Sequence, residues 1–247
     1  MKISNLYILS IGASILTSCG GCDSSSNSSD EPSKPADQLT GNETTPDITW
    51  ENIEAGSFIF GSPEGTPCRA PIVEIEVPVT LTRSFLMAST EITQAQWQAL
   101  DFPNPSQEPK SPDKPVTFVS FYDTLAWCNK LSKLEGLDTC YDLSSCANPV
   151  GTGCAPDEKF ADEGCSDNTN SGTNFRCAGE IHKYPDWYAC PGYRLPTTAE
   201  WEYAAKAGTT THTYGGDLLP QQFGPCIEQP ALEDIAWYCI NSGESIH

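Results

Sequence analysis

The chain of 247 residues is short of positive charge. It carries 13 lysines and arginines against 33 aspartates and glutamates, a net charge of −20. That balance argues against binding nucleic-acid backbones or anionic lipid surfaces by electrostatics, and it favours solubility and divalent cations. Histidine is scarce as well. His182, His212 and His247 form no close pair, so a histidine-held iron or zinc site has no support. No GxSxG elbow and no phosphate-cradling glycine loop occurs, which leaves serine-hydrolase and nucleotide chemistry without a motif. No apolar run is long enough to span a bilayer. No internal repeat is visible.

Cysteine, by contrast, is abundant, with 12 in the chain. A cytosolic enzyme rarely carries so many without metal-ligand spacing, so an oxidising, extracytoplasmic setting is expected. The N-terminus agrees. Lys2 supplies a positive start, Leu6 to Leu16 is a short apolar run, and Leu16-Thr17-Ser18-Cys19 follows. This resembles the lipobox of bacterial lipoproteins, which implies that residues 1–19 hold the leader and that Cys19 is the lipidated residue. The competing expectation is an ordinary cleaved signal peptide. Gly20 after Cys19, where some bacteria place a retaining aspartate, favours the outer membrane or cell surface. The membrane would then be met through the anchor only. Residues 20–46 are Gly, Ser, Asp, Asn and Pro with almost no apolar side chains, a flexible tether. Cys19 and Cys22 make a CxxC on paper, but a lipidated Cys19 cannot be a thiolate ligand.

The globular part spans 47–247. Phe58 and Phe60 alternate within a glycine-bounded strand. In the run from Val73 to Leu81, Val73, Ile75, Val77, Val79 and Leu81 share one side, and Glu74, Glu76, Pro78 and Thr80 the other. Pro78 predicts an edge or a bulge. Thr93 and Gln96 form a capping box for a helix with Trp97 and Leu100 inward. Ser120 caps a longer helix, with Asp123 at its third position and Gly136 at its end. Phe121, Leu125, Cys128 and Leu131 are its expected buried face.

Residues 138–191 are acidic, Asn- and Gly-rich, and hold Cys140, Cys146, Cys154, Cys165, Cys177 and Cys190. None are spaced as CxxC or CxxxC, so a disulfide-stapled loop is expected rather than zinc. The pairing stays open among 15 possibilities. Asp157, Glu158, Asp162, Glu163 and Asp167 could attract calcium, but they lack EF-hand spacing, and a solvated acidic face is the commoner outcome.

Residues 192–202 read Gly-Tyr-Arg-Leu-Pro-Thr-Thr-Ala-Glu-Trp-Glu. Pro196 biases Leu195 away from helix, and Thr197 with Glu200 makes a third capping box. Trp201, Ala204, Ala205 and Gly208 fall on one helical stripe, expected to be buried. Glu202 and Lys206 pair at i, i+4 on the expected wet side. Glu200 and Glu202 point to different faces, which speaks against acid–base catalysis by the pair.

Four segments now stand in order: Ile53 to Ser62, Ser89 to Trp97, Pro115 to Leu131 and Gly192 to Gly208. Together they resemble the sulfatase-modifying-factor family, whose best-known members are formylglycine-generating enzymes. Arg194, Leu195, Pro196, Thr197, Glu200, Trp201 and Glu202 match its Arg-Leu-Pro-Thr-x-Ala-Glu-Trp-Glu signature. Departures are Phe60 at a Met position, Phe121 at a Trp and Thr124 at an Ala. The resemblance implies an α+β, C-type lectin-like fold, irregular and disulfide-rich, with 138–191 as an insertion. It implies oxidation of a cysteine in a sulfatase-like protein to formylglycine, with copper, oxygen and possible calcium binding. Asn241 falls near a position where family enzymes offer a calcium ligand. The family places its reactive cysteine pair beyond the region matched here, so this chain offers no catalytic residue, metal ligand or identifiable cofactor site of its own. The domain reads as truncated at its C-terminus, inactive, and poorly folded when expressed alone. Cys128 resembles a structural cysteine with a partner outside the matched region. Cys226 and Cys239 join Cys128 and the insertion cysteines as disulfide candidates. The other reading is a non-catalytic, lectin-like module that binds a surface ligand.

Overall fold

The computed structural model describes residues 44–66, 69, 72–106, 110–150, 175–179, 181–220, 228–238 and 240–242, with the backbone of Tyr7–Ile8. The described residues from 44 on fall into two compact units. One holds 44–52 and 85–195, the other 53–84 and 196–242.

The first unit is built around two helices. Helix α1 (Gln94–Ala99) starts where Thr93 Oγ1 accepts the Gln96 amide, and the Gln96 side chain accepts the Thr93 amide in return. Two orphan donors are thus satisfied at once. Helix α2 (Phe121–Leu134) repeats the device with Ser120 and Asp123, and ends at Glu135 before Gly136, whose φ is +71°. Both caps agree with the sequence. Trp97, Leu100, Leu125, Trp127, Cys128 and Leu131 form a dry core. The Trp97 and Trp127 rings lie parallel at 6.2 Å, and Phe102 meets Trp97 edge-on at 5.0 Å. Each buried indole keeps a hydrogen bond: Trp97 donates to the Pro103 carbonyl and Trp127 to that of Trp97. Phe121 departs from expectation. It is 43% exposed at the first position of the helix, ahead of buried Asp123, Thr124 and Leu125, and its ring meets Tyr122 edge-on.

A four-stranded sheet accompanies the helices in the order β2 (Trp50–Ile53), β5 (Phe85–Ala88), β1 (Tyr7–Ile8), β8 (Tyr193–Arg194). β1 runs parallel to both neighbours, with Tyr7 opposite Leu86 and Tyr193. Two residues of the expected leader therefore take an inner place in this sheet. The insertion contributes a short antiparallel ladder, β6 (Cys146–Ala147) against β7 (Arg176–Cys177).

The second unit contains the antiparallel hairpin β3 (Gly56–Phe60) and β4 (Val77–Leu81), and helix α3 (Thr198–Lys206). Phe58 and Phe60 alternate as expected, and Phe58 meets Tyr203 of α3 edge-on at 5.3 Å. Two expectations fail here. The long alternating strand begins only at Val77, and Val73 and Ile75 are 73% and 56% exposed. Their apolar side has no covering layer among the described residues. Trp201 is 37% exposed, and the residue that α3 buries is Glu200. Together these elements make an irregular, disulfide-rich α+β molecule.

Candidate functional site

The signature segment is divided between the units. In the first unit, Tyr193 and Arg194 are buried in β8. Ser132, one turn after Cys128 on α2, donates to the Cys128 carbonyl at 2.8 Å and accepts the Tyr193 amide at 2.8 Å. One hydroxyl thereby joins helix to strand. Gly192 permits this approach, because a Cβ there would strike the Asp138 carbonyl and the Ser132 hydroxyl. The Leu195 amide donates to the Tyr141 hydroxyl at 2.9 Å. Asn129 grips Tyr141 at both its amide and its carbonyl. The Tyr193 hydroxyl donates to Glu135 at 2.7 Å. The Arg194 guanidinium, fully buried, lies over the Tyr188 ring at 5.5 Å and donates to the Leu195 carbonyl. Burying a charge requires such partners.

In the second unit, Thr197 and Glu200 close the predicted capping box, with the Thr197 amide 2.7 Å from Glu200 Oε2. Glu202 and Lys206 pair at 3.0 Å, as their spacing predicts. They are not on a wet side, however. Glu202 accepts the Gly61 amide at 2.8 Å, and Lys206 Nζ donates to the Ile59 and Gly61 carbonyls at 3.0 and 3.1 Å. The pair is a clamp on the turn after β3. Gly61 suits that turn, having φ +91° and a Cβ position only 2.5 Å from the Ile75 carbonyl. The i, i+4 pattern predicts the ion pair but says nothing of what else it holds. Helix α3 ends through left-handed Ala207, followed by Gly208 at φ +80°. Arg194, Leu195, Thr197, Glu200 and Glu202 of the signature thus all have structural partners.

Cysteine chemistry is equally structural where it is described. Cys140 bonds Cys190, and Cys146 bonds Cys177, which fixes two of the pairings left open by sequence. Cys128 is a free thiol, fully buried. Burial pushes its pKa far up, and neither its backbone hydrogen bond nor the Arg194 charge offsets that. Cys19, Cys154, Cys165, Cys226 and Cys239 lie outside the described residues, as does the acidic run 157–167. Asn241 has both polar arms engaged: it accepts the Tyr238 amide and donates to the Ala236 carbonyl. Among the described residues no three His, Cys, Asp or Glu side chains gather to hold a metal. With the one free thiol protonated and enclosed, these residues do not fit a copper centre.

The family model of the sulfatase-modifying factor enzyme 1-like domain matches residues 35–232. A curated relative, the chaperone protein LppX of Paenibacillus barcinonensis, is 33% identical over 168 residues, 67% of this chain and 48% of its own. The chain thus spans about half the length of that relative. Among solved structures, Treponema denticola variable protein 1 is similar at 30% identity and TM-score 0.49, covering 80% of this chain and 63% of its own. A structure of CarF is similar at 23% identity and TM-score 0.37, covering 66% and 57%.

Proposed function

The chain belongs to the sulfatase-modifying factor enzyme 1-like family, and within that family we propose that it works as a lipid-anchored, extracytoplasmic binding module for polypeptide. The single observation that carries this is the state of its cysteines. Among the described residues, four are locked in disulfides and the fifth, Cys128, is buried and held protonated. A thiol in that state is neither a nucleophile nor a metal ligand. The signature residues act as braces within each unit, at β8 in the first and at the turn after β3 in the second. Anchoring follows from the Leu16-Thr17-Ser18-Cys19 segment, and the tether 20–46 gives the module reach. The naming of one relative as a chaperone protein favours a polypeptide ligand.

The second reading is formylglycine generation by a longer protein of which these residues are the scaffold. The intact segment Arg194 to Glu202 favours it. Copper would then be held by cysteines beyond the region matched to the family. One experiment separates the two. The full-length gene product, with any coding sequence that continues past codon 247, is incubated with copper, oxygen and a peptide containing a Cys-x-Pro-x-Arg site, and aldehyde is sought by mass spectrometry. Unchanged peptide is expected. Copper-dependent aldehyde would overturn the binding-module reading. In parallel, Cys19→Ser should abolish lipid labelling and detergent-phase partition; if the variant still partitions, the anchor is elsewhere.

A further inference from the structure

The two disulfides of the insertion sit in unlike places. Cys140 and Cys190 are each 3% exposed and belong to the aromatic core of the first unit. Backbone bonds hold the chain around them. Lys183 donates to the Cys140 carbonyl, Cys190 to the Trp187 carbonyl, and the Gly192 amide reaches Cys190 Sγ at 3.4 Å. Asn129 fixes the neighbouring Tyr141 on both sides. Sulfur here is enclosed by structure that must open before a reagent arrives.

Cys146 and Cys177 are direct partners in the β6–β7 ladder and are only half-buried. Their neighbours Ser145, Ala147, Ala178 and Gly179 are all exposed. Thiol–disulfide exchange requires a thiolate to approach one sulfur in line with the bond, so access controls its rate. The strands have a second fastening nearer the core. Asp142 donates to the Ile181 carbonyl, Ala178 to that of Ser145, and the Gly179 amide to Ser145 Oγ. Opening the outer disulfide therefore leaves the base of the stem tied.

We propose that Cys146–Cys177 is a reducible latch on the insertion, opened by dithiol reductants, while Cys140–Cys190 is a permanent staple. In the step, one thiolate of the dithiol attacks a sulfur of the pair, and the S–S bond breaks as a mixed disulfide forms. The second thiolate of the dithiol then displaces the remaining protein sulfur. The dithiol leaves as a cyclic disulfide, two electrons pass to the protein, and Cys146 and Cys177 take up two protons. Oxidised, the latch holds residues 147 and 176 opposite one another; reduced, β6 and β7 keep their backbone pairing without the covalent tie. This proposal does not depend on the binding-module reading.

The test is graded dithiothreitol treatment of the whole oxidised chain, with iodoacetamide quenching and peptide mapping, alongside near-ultraviolet circular dichroism. Cys146 and Cys177 should be alkylated about tenfold faster than Cys140 and Cys190, with the tryptophan signal kept. Equal rates for the four cysteines in buffer would overturn the proposal. So would earlier labelling of Cys140 and Cys190, or loss of the tryptophan signal in step with labelling of Cys146. A Cys146→Ser/Cys177→Ser double variant gives an independent reading. It should keep the near-ultraviolet spectrum of the oxidised chain. If it loses that spectrum, the outer disulfide is structural and the latch is refuted.

Discussion

Helix α2 and the run Val73 to Leu81 both carry clear apolar periodicity, yet the helix has far more of its apolar side covered. Leu125, Trp127, Cys128 and Leu131 are sealed in the first unit, whereas Val73, Ile75 and Val77 of the second stand exposed, and of that run's apolar side only Leu81 is fully buried. The difference lies in the layers that meet them. The first unit stacks Trp97, Phe102 and Trp127 and ties Cys140 to Cys190 in the same core. The second unit is fastened mainly by polar contacts: the Glu202–Lys206 clamp on the β3 turn, and Ser57 with Thr80 across the hairpin at 2.8 Å. Polar contacts of that kind, part-buried at the clamp and exposed across the hairpin, contribute less than a sealed aromatic core, so the second unit should be the softer of the two.

The largest effect expected from that comparison is at Trp97. Its ring is fully buried, stacks on Trp127, meets Phe102 and donates to the Pro103 carbonyl. Trp97→Ala removes the ring and leaves a cavity, and should cost about 3–5 kcal/mol of unfolding free energy. Urea titration followed by near-ultraviolet circular dichroism measures it. A cost of about 1 kcal/mol would mean that the two units do not differ in packing as described.

How far all this could be read from residues alone depends on range. The three capping boxes, Thr93 with Gln96, Ser120 with Asp123 and Thr197 with Glu200, were legible because a cap involves side chains three positions apart. The Glu202–Lys206 pair was legible for the same reason. Its hold on Ile59 and Gly61 was not, since it bridges about 140 positions of chain. Periodicity shows which residues share a side, not whether anything covers that side. That is why Phe121 and Trp201, expected inward, are exposed, and why the side that Val73 and Ile75 share is open. Cysteine spacing predicted disulfides but could not choose partners. The choice comes from register, Cys146 opposite Cys177, and from the core that gathers Cys140 and Cys190. Ser132 carried only a faint signal, a small hydroxyl one turn after Cys128.

A middle-sized effect belongs to the signature corner. Thr197→Ala deletes the oxygen that accepts the Glu200 amide at 3.2 Å, while Glu200 keeps the Thr197 amide. Loss of an N-cap hydroxyl costs about 1 kcal/mol. Thr197→Ser should restore it, because serine offers the same acceptor. Thermal melting of the three proteins checks this. If Ser melts with Ala instead of with Thr, the cap is not what the corner uses Thr197 for.

The smallest effect is the one that tests the exposed side directly. Ile75 is 56% exposed, and its backbone carbonyl, not its side chain, is what approaches Gly61. A surface substitution away from caps, cavities and buried networks shifts stability within about 0.5 kcal/mol. Ile75→Ser should therefore leave the urea midpoint almost unchanged, and it should leave elution volume in size-exclusion chromatography unchanged too. A loss of about 2 kcal/mol or more is the range for uncovering a buried aliphatic side chain. Seeing it here would mean that the apolar side of residues 73–77 is covered in solution, and that the contrast with helix α2 is one of which surface does the covering, not of whether it is covered.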